Sequence, residues 1–153
     1  MSDEPFTLTR TFDAPVALVW RAWTDPRLAR RWWHPYDFTI EHGVPRIDPV
    51  VGGGFSYTLV DPEKARIALS GTYLEVEAER RLVFTWGPAE LPAEAQARIT
   101  VDLEDTGVGL TLMTFTATGL PAEDGVDEED SVVRTGWTEC FELLDIWFSM
   151  GIM

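Results

Sequence analysis

The chain predicts an α+β fold in which a curled antiparallel sheet of six to seven strands wraps a long C-terminal helix, with two short helices after the first strand. Three observations carry this. An aromatic-rich helical segment bounded by prolines follows one short alternating stretch, and four of the seven tryptophans fall between positions 20 and 33. Alternation of apolar and polar residues, broken by turn residues, runs from about residue 38 to 117. The C-terminal segment then returns to helical spacing with an aromatic stripe.

Each element follows from local chemistry. Phe6, Leu8, Arg10 and Phe12 alternate with Thr7, Thr9 and Thr11, a period of two in strand-forming residues. Asp13 is placed to cap a helix whose first turn holds Pro15, where the missing N–H costs nothing. Val16, Val19, Trp20 and Trp23 recur at helical spacing, and this helix ends before Pro26. Thr24 or Asp25 caps a second helical turn with Pro26 at its first position, Leu28, Ala29 and Trp32 on one face, and Pro35 as its stop.

The sheet is punctuated by turns. Gly52-Gly53-Gly54 reads as a bulge or tight turn ahead of Phe55, Tyr57 and Leu59. Asp61-Pro62-Glu63-Lys64 turns the chain into a long strand from Ile67 to Val76. Glu79-Arg80 turns it again into Leu82, Phe84 and Trp86. A loop from Pro88 to Glu94 leads to Ile99, Val101 and Leu103, and Asp105-Thr106-Gly107 makes a hairpin into the strand from Val108 to Ala117. Strands joined in sequence by short turns imply an antiparallel meander. Glu123, Asp124, Asp127, Glu128, Glu129 and Asp130 form an acidic cluster, and Ser131 is a candidate cap for the last helix. Negative charge at that end favours the helix dipole. Val133, Trp137, Cys140, Phe141, Leu144, Trp147 and Phe148 step by three and four along one helical stripe.

With 153 residues the chain reads as a single domain over 1–153, long enough to bury roughly 70% of its unfolded surface. Twelve basic against 26 acidic residues give a net charge of −14, which repels phosphate backbones and anionic lipid, so neither nucleic acid nor a membrane is an expected partner. One cysteine excludes an internal disulfide, and the acidic start lacks the apolar run of a signal peptide. No stretch approaches the roughly 18 apolar residues of a membrane helix. A cytoplasmic protein is the expectation.

A twisted sheet curls, and a helix with one apolar stripe must bury it on the concave face. Such an arrangement tends to leave a cavity between the two. Strand parity sends Thr72, Leu74 and Val76 inward, with Leu82, Phe84 and Trp86 on the next strand. Leu110, Leu112 and Thr114 share a face of the last strand. The expected cavity residues are Tyr57, Leu74, Phe84, Trp86, Leu112 and Thr114 on the sheet, facing Trp137, Phe141 and Leu144 on the helix. Tyr57, Trp86 and Thr114 bring polar ends that would orient a ligand. Each of these residues also reads, singly, as ordinary core filling.

Phe12-Asp13-Ala14-Pro15, Val19-Trp20 and Trp23-Thr24-Asp25-Pro26 resemble the opening of the START-like (SRPBCC) helix-grip proteins, and most of all the group of activator homologues of the heat shock protein 90 ATPase. Further similarities are Trp32-Trp33-His34-Pro35, Gly53-Gly54-Phe55, Gly71 to Val76, Arg80 to Trp86, Gly109 to Leu112 and Gly136-Trp137, so that the likeness spans about residues 6 to 148. It implies the helix-grip fold more than a reaction. Such relatives include lipid and hormone carriers, polyketide cyclases and co-chaperone domains. His34 replaces the glycine usual in the Trp-Trp-Gly-Pro run, and the loop from Leu120 to Asp130 is unusually acidic. Trp33 and His34 are candidate rim residues, although His34 also reads as an exposed loop histidine.

Other chemistry has little support in the sequence. His34 and His42 do not make a metal-ligand spacing with the distant Cys140. No nucleophile elbow and no phosphate loop occur. Cys140 lies in the apolar stripe and reads as a small buried hydrophobe. Arg46, Glu75, Arg98, Asp102 and Glu142 are formally available for acid–base work, but alternation sends Glu75, Arg98 and Asp102 outward. The expectation is a cofactor-free protein binding a small apolar or aromatic molecule. The alternatives are a co-chaperone-like module with a chaperone as partner, in a stress response, or a cyclase- or lyase-like enzyme. Trp147, Phe148, Met150, Ile152 and Met153 make an apolar C-terminal end that would suit a homodimer.

Overall fold

The computed structural model describes residues 6–120 and 132–151. The acidic cluster from Glu123 to Asp130, Ser131 as a cap, and Ile152 and Met153 lie outside the described residues. In chain order the elements are β1 (Phe6–Phe12), α1 (Val16–Thr24), α2 (Pro26–Ala29), β2 (Thr39–Ile40), β3 (Arg46–Ile47), β4 (Gly54–Val60), β5 (Arg66–Glu77), β6 (Arg81–Pro88), β7 (Ala97–Asp105), β8 (Thr111–Thr118) and α3 (Val132–Ser149). The strands form one antiparallel sheet in the order β1-β8-β7-β6-β5-β4-β2, with β3 also pairing with β4. The two two-residue strands bring the described strand count to eight.

The turns form where the sequence predicts them. Asp61 Oδ1 accepts from the backbone N–H groups of Glu63 and Ala65, each at 2.8 Å, and Lys64 takes the left-handed conformation that closes this turn. Gly52 adopts φ +85° in a tight turn in which Gly53 N donates to Val50 O at 2.8 Å. Asp25 caps α2 by accepting from Arg27 N at 2.9 Å. The Arg27 guanidinium bonded to it holds the Asp25 carboxyl below its ordinary range. At α1, however, Asp13 is not the cap. Pro15 occupies that position in an extended conformation, and its carbonyl accepts from Leu18 and Val19. The helix α2 is also shorter than the sequence predicts, and Trp32 follows it in a turn where its N–H bonds to Ala29 O.

Two strands carry corrections to the predicted inner face. On β5 the residues turned into the core are Leu69, Gly71 and Tyr73, whereas Leu74 is 38% exposed. The register with β6 shifts between Tyr73 and Glu75, and this bulge inserts one residue. Side-chain parity therefore reverses within the strand, and Val76 packs on the core again beyond it. On β8 the buried set is Thr111, Met113, Phe115 and Ala117, so Leu112 and Thr114 point to the opposite face. Leu110 pulls a parity count toward the wrong register, yet it precedes the strand and belongs to the turn.

The helix α3 buries Trp137, Cys140, Phe141, Leu144 and Phe148 against the sheet and α1. Trp23 of α1 is the hub of this interface. Its ring lies 4.6 Å from Trp32, 6.0 Å from Phe84, 6.4 Å from Phe115, 6.0 Å from Trp137 and 6.3 Å from Phe141, centroid to centroid. Phe12 meets Phe148 at 5.5 Å. Side-chain contacts fix the helix along its length, among them Asp145 to Arg10 at 2.8 Å, Trp147 Nε1 donating to Arg31 O at 3.2 Å, and Glu139 accepting from Tyr36 N at 2.8 Å. Of the C-terminal residues expected at a dimer surface, Phe148 is core, Trp147 is half-buried under the Arg31 guanidinium, and Met150 is exposed.

Candidate functional site

The aromatic core fills the middle of the space between α3 and the sheet but stops short of one end. There a pocket of about 180 Å³ remains. Its walls come from five places in the chain. Trp33, Pro35 and Phe38 belong to the segment after α2; Tyr57 and Leu59 to β4; Ile67 and Leu69 to β5; Trp86 to β6; and Val132, Val133, Gly136, Trp137 and Cys140 to the first turns of α3. Ile67 and Val132, 42% and 75% exposed, place its mouth at the surface. Trp33 stacks at a tilt 5.3 Å from Tyr57, and Trp86 meets Trp137 edge to face at 5.7 Å.

Polar atoms interrupt this apolar lining at a Trp86–Tyr57 pair and at the buried Trp33 Nε1, which has no hydrogen-bond partner among the described residues. Trp86 Nε1 donates to Tyr57 Oη at 2.9 Å. Burial raises the Tyr57 hydroxyl well above its ordinary pKa, outweighing the opposing effect of the Trp86 bond. Burial, and then the nearby Glu139 charge, raises the Cys140 thiol in the same way. Both groups therefore stay protonated at neutral pH, and burial disfavours the thiolate form of Cys140 that a nucleophile needs. No Asp, Glu, Lys, Arg or His is among the described lining residues. Among the described residues no cluster of three His, Cys, Asp or Glu is placed to hold a metal, and no helix is long and apolar enough to cross a membrane.

The cavity residues expected from the sequence divide into three groups. Trp33, Tyr57, Trp86 and Trp137 meet at the pocket. Phe84, Phe141 and Leu144 are buried in the filled core and do not line it. Leu74, Leu112 and Thr114 lie on the other face of the sheet, for the parity reasons given above. His34 is half-buried beside the pocket, with Nδ1 bonded to Pro35 O at 3.0 Å, and its two neighbours contribute to the wall instead. Glu75, Arg98 and Asp102 join Arg81 in an ion-pair network on the outer face, with Arg81 to Asp102 at 3.0 Å. Glu142 accepts from the exposed Tyr36 hydroxyl, at 2.9 Å. The wall residues missed by sequence reasoning were accessible in part. Val133, Gly136 and Cys140 share one helical face with the expected Trp137, and Leu59 shares the parity of Tyr57. The contribution of Pro35 and Phe38 depends on the path of an irregular segment and has no periodic signal.

The family model described as Activator of Hsp90 ATPase homolog 1-like protein matches residues 13–148. Among solved structures, a protein from Nitrosomonas europaea is 28% identical, with a TM-score of 0.81 over 99% of this chain and 97% of the other. An AHSA1-like protein from Aeromonas hydrophila is 22% identical, with a TM-score of 0.75 over 97% and 94% of the two chains. An HSP90 activator from Plasmodium falciparum is 22% identical, with a TM-score of 0.68 over 96% of each. No curated protein matches the sequence.

Proposed function

The chain belongs to the Activator of Hsp90 ATPase homolog 1-like family, and within that family we propose that it is a binding protein for a small apolar or aromatic molecule held under the first turns of α3. The observation that carries this reading is the pocket at the end of an otherwise filled aromatic core, walled by Trp33, Tyr57, Trp86 and Trp137. A space of that size left open among tightly packed rings forgoes dispersion contacts that a ligand would restore. Its lining supports binding more than acid–base catalysis, because among the described residues its titratable side chains are a tyrosine and a cysteine held neutral by burial.

The test is a thermal-shift and NMR screen of one- and two-ring compounds against the protein and a Gly136→Leu variant. Gly136 forms part of the wall, so a leucine there occupies the space. Binders raise the melting temperature of the parent and not of the variant. A panel that leaves both proteins unmoved refutes the reading. The family description supports a second role, contact with a chaperone ATPase, and the net charge of −14 suits a basic partner surface. That role requires retention on the chaperone at low salt and release at high salt. It does not depend on the pocket, so Gly136→Leu leaves it intact.

A further inference from the structure

The Tyr57–Trp86 pair constrains what the pocket accepts. A tyrosine hydroxyl has one proton to donate and an oxygen that accepts. The oxygen takes the Trp86 indole N–H at 2.9 Å, and among the described residues the proton has no acceptor. Among the described residues the lining holds no cation to offset a negative charge. A carboxylate entering the pocket would lose its water with only neutral donors to replace it, the Tyr57 hydroxyl and the Trp33 indole N–H that is unpartnered among the described residues, which is strongly unfavourable. A neutral acceptor loses far less and accepts a hydrogen bond from the Tyr57 hydroxyl. Size sets the other limit. A cavity of roughly 150 Å³ holds benzene, so about 180 Å³ suits one ring with a short substituent. The surrounding indole and phenol rings favour an aromatic occupant.

Building on the binding role above, we propose that the pocket selects a neutral single-ring aromatic molecule bearing a carbonyl-type oxygen, which accepts a hydrogen bond from the Tyr57 hydroxyl while the Trp86 N–H donates to the hydroxyl oxygen.

Three probes of nearly one shape separate the contributions: acetophenone carries the acceptor, cumene lacks it, and benzoate carries charge. Each is titrated into the parent protein and into Tyr57→Phe, with dissociation constants read from the NMR shifts. In the parent, acetophenone binds at least tenfold more tightly than benzoate and moves the Trp86 indole N–H resonance. The affinity ratio of acetophenone to cumene falls about fivefold in Tyr57→Phe, the worth of one neutral hydrogen bond. If both bind but the ratio is the same in the two proteins, the acceptor proposal is overturned and the binding role stands. Benzoate binding as tightly as acetophenone overturns it too. If none of the three binds, the proposal falls, and the wider screen against Gly136→Leu decides the binding role separately. Should Tyr57→Phe fail to fold, the benzoate comparison and the Trp86 resonance in the parent protein decide the proposal.

Discussion

At the scale of single residues, the outer face of the sheet shows how a few polar atoms hold an irregular ladder. The register of β5 against β6 pairs Ser70 with Gly87 and Tyr73 with Phe84, and between these pairs the Thr85 side chain supplies a bond. Thr85 Oγ1 accepts from Thr72 N at 2.9 Å and donates to Gln96 Oε1 at 2.9 Å. The amide of Gln96 in turn donates to Ser70 Oγ at 3.3 Å and Pro88 O at 3.1 Å. On the inner face of the same stretch, Gly71 leaves room for the Phe55 ring, since a β-carbon there would run into that ring and the Thr85 carbonyl. Thr85 is a buried polar residue, and its hydroxyl cannot be removed without stranding both the Thr72 N–H and the Gln96 carbonyl oxygen. Thr85→Val keeps the shape and loses the hydroxyl, so it should lower the unfolding free energy by about 1–3 kcal/mol. Thr85→Ser should recover most of that loss. Urea unfolding of the three proteins measures both effects, and a valine variant as stable as the parent would show that the network contributes nothing.

At the scale of elements, α3 has two roles that pull against each other. Its stripe of Trp137, Phe141, Leu144 and Phe148 closes the core, whereas Gly136 on the same side leaves the pocket open. A β-carbon at Gly136 would meet Pro35 Cγ at 3.5 Å, an ordinary contact. Gly136→Ala therefore gains helix propensity without a clash, and should stabilise the protein by about 0.5–1 kcal/mol. The same methyl narrows the ligand space, so affinity for a pocket ligand should fall as the melting temperature rises. A variant gaining both stability and affinity would contradict this account of the wall. The helix was legible in the sequence because its period is strong and its residues are aromatic. The hairpin turns were equally legible, since Asp61, Gly52 and Gly107 each suit one backbone geometry. Strand faces were less so. Parity carries across a strand only if the strand is regular, and the β5 bulge breaks it at Leu74. On β8, threonines alternate with Leu112, Met113, Phe115 and Ala117 in a way that leaves the choice to tertiary packing. The split between filled core and open pocket was also hidden, because Trp23 of α1 and Trp32 of the turn after α2 reach across to occupy the space beside Phe84 and Phe141.

At the scale of the whole molecule, the interior is a reservoir of protons held against an acidic exterior. The chain has three tyrosines and one cysteine. Tyr57, Tyr73 and Cys140 are buried, and desolvation raises all three above their ordinary values of 10.0, 10.0 and 9.0. The consequence for stability has a definite sign. Below pH 9 both folded and unfolded chains keep these protons, and the groups contribute no pH dependence. Above pH 9 the unfolded chain begins to release the Cys140 proton, and above pH 10 the two tyrosine protons, while the folded chain retains them. The unfolded state then binds fewer protons, so stability falls as pH rises. Each group contributes about 1.4 kcal/mol per pH unit once its unfolded value is well passed. By pH 11 the three together should cost on the order of 5 kcal/mol, comparable with the entire stability of many domains. Surface repulsion in a chain of net charge −14 also grows with pH, but salt distinguishes the two. Added salt screens exposed charges and leaves buried protons unaffected. Urea titrations from pH 8 to 11 at low and high salt should both show the decline. Cys140→Ala should flatten it between pH 9 and 10 and leave the steeper tyrosine-driven fall above pH 10. Stability that stays level to pH 11 at high salt would mean that burial does not hold these three groups protonated.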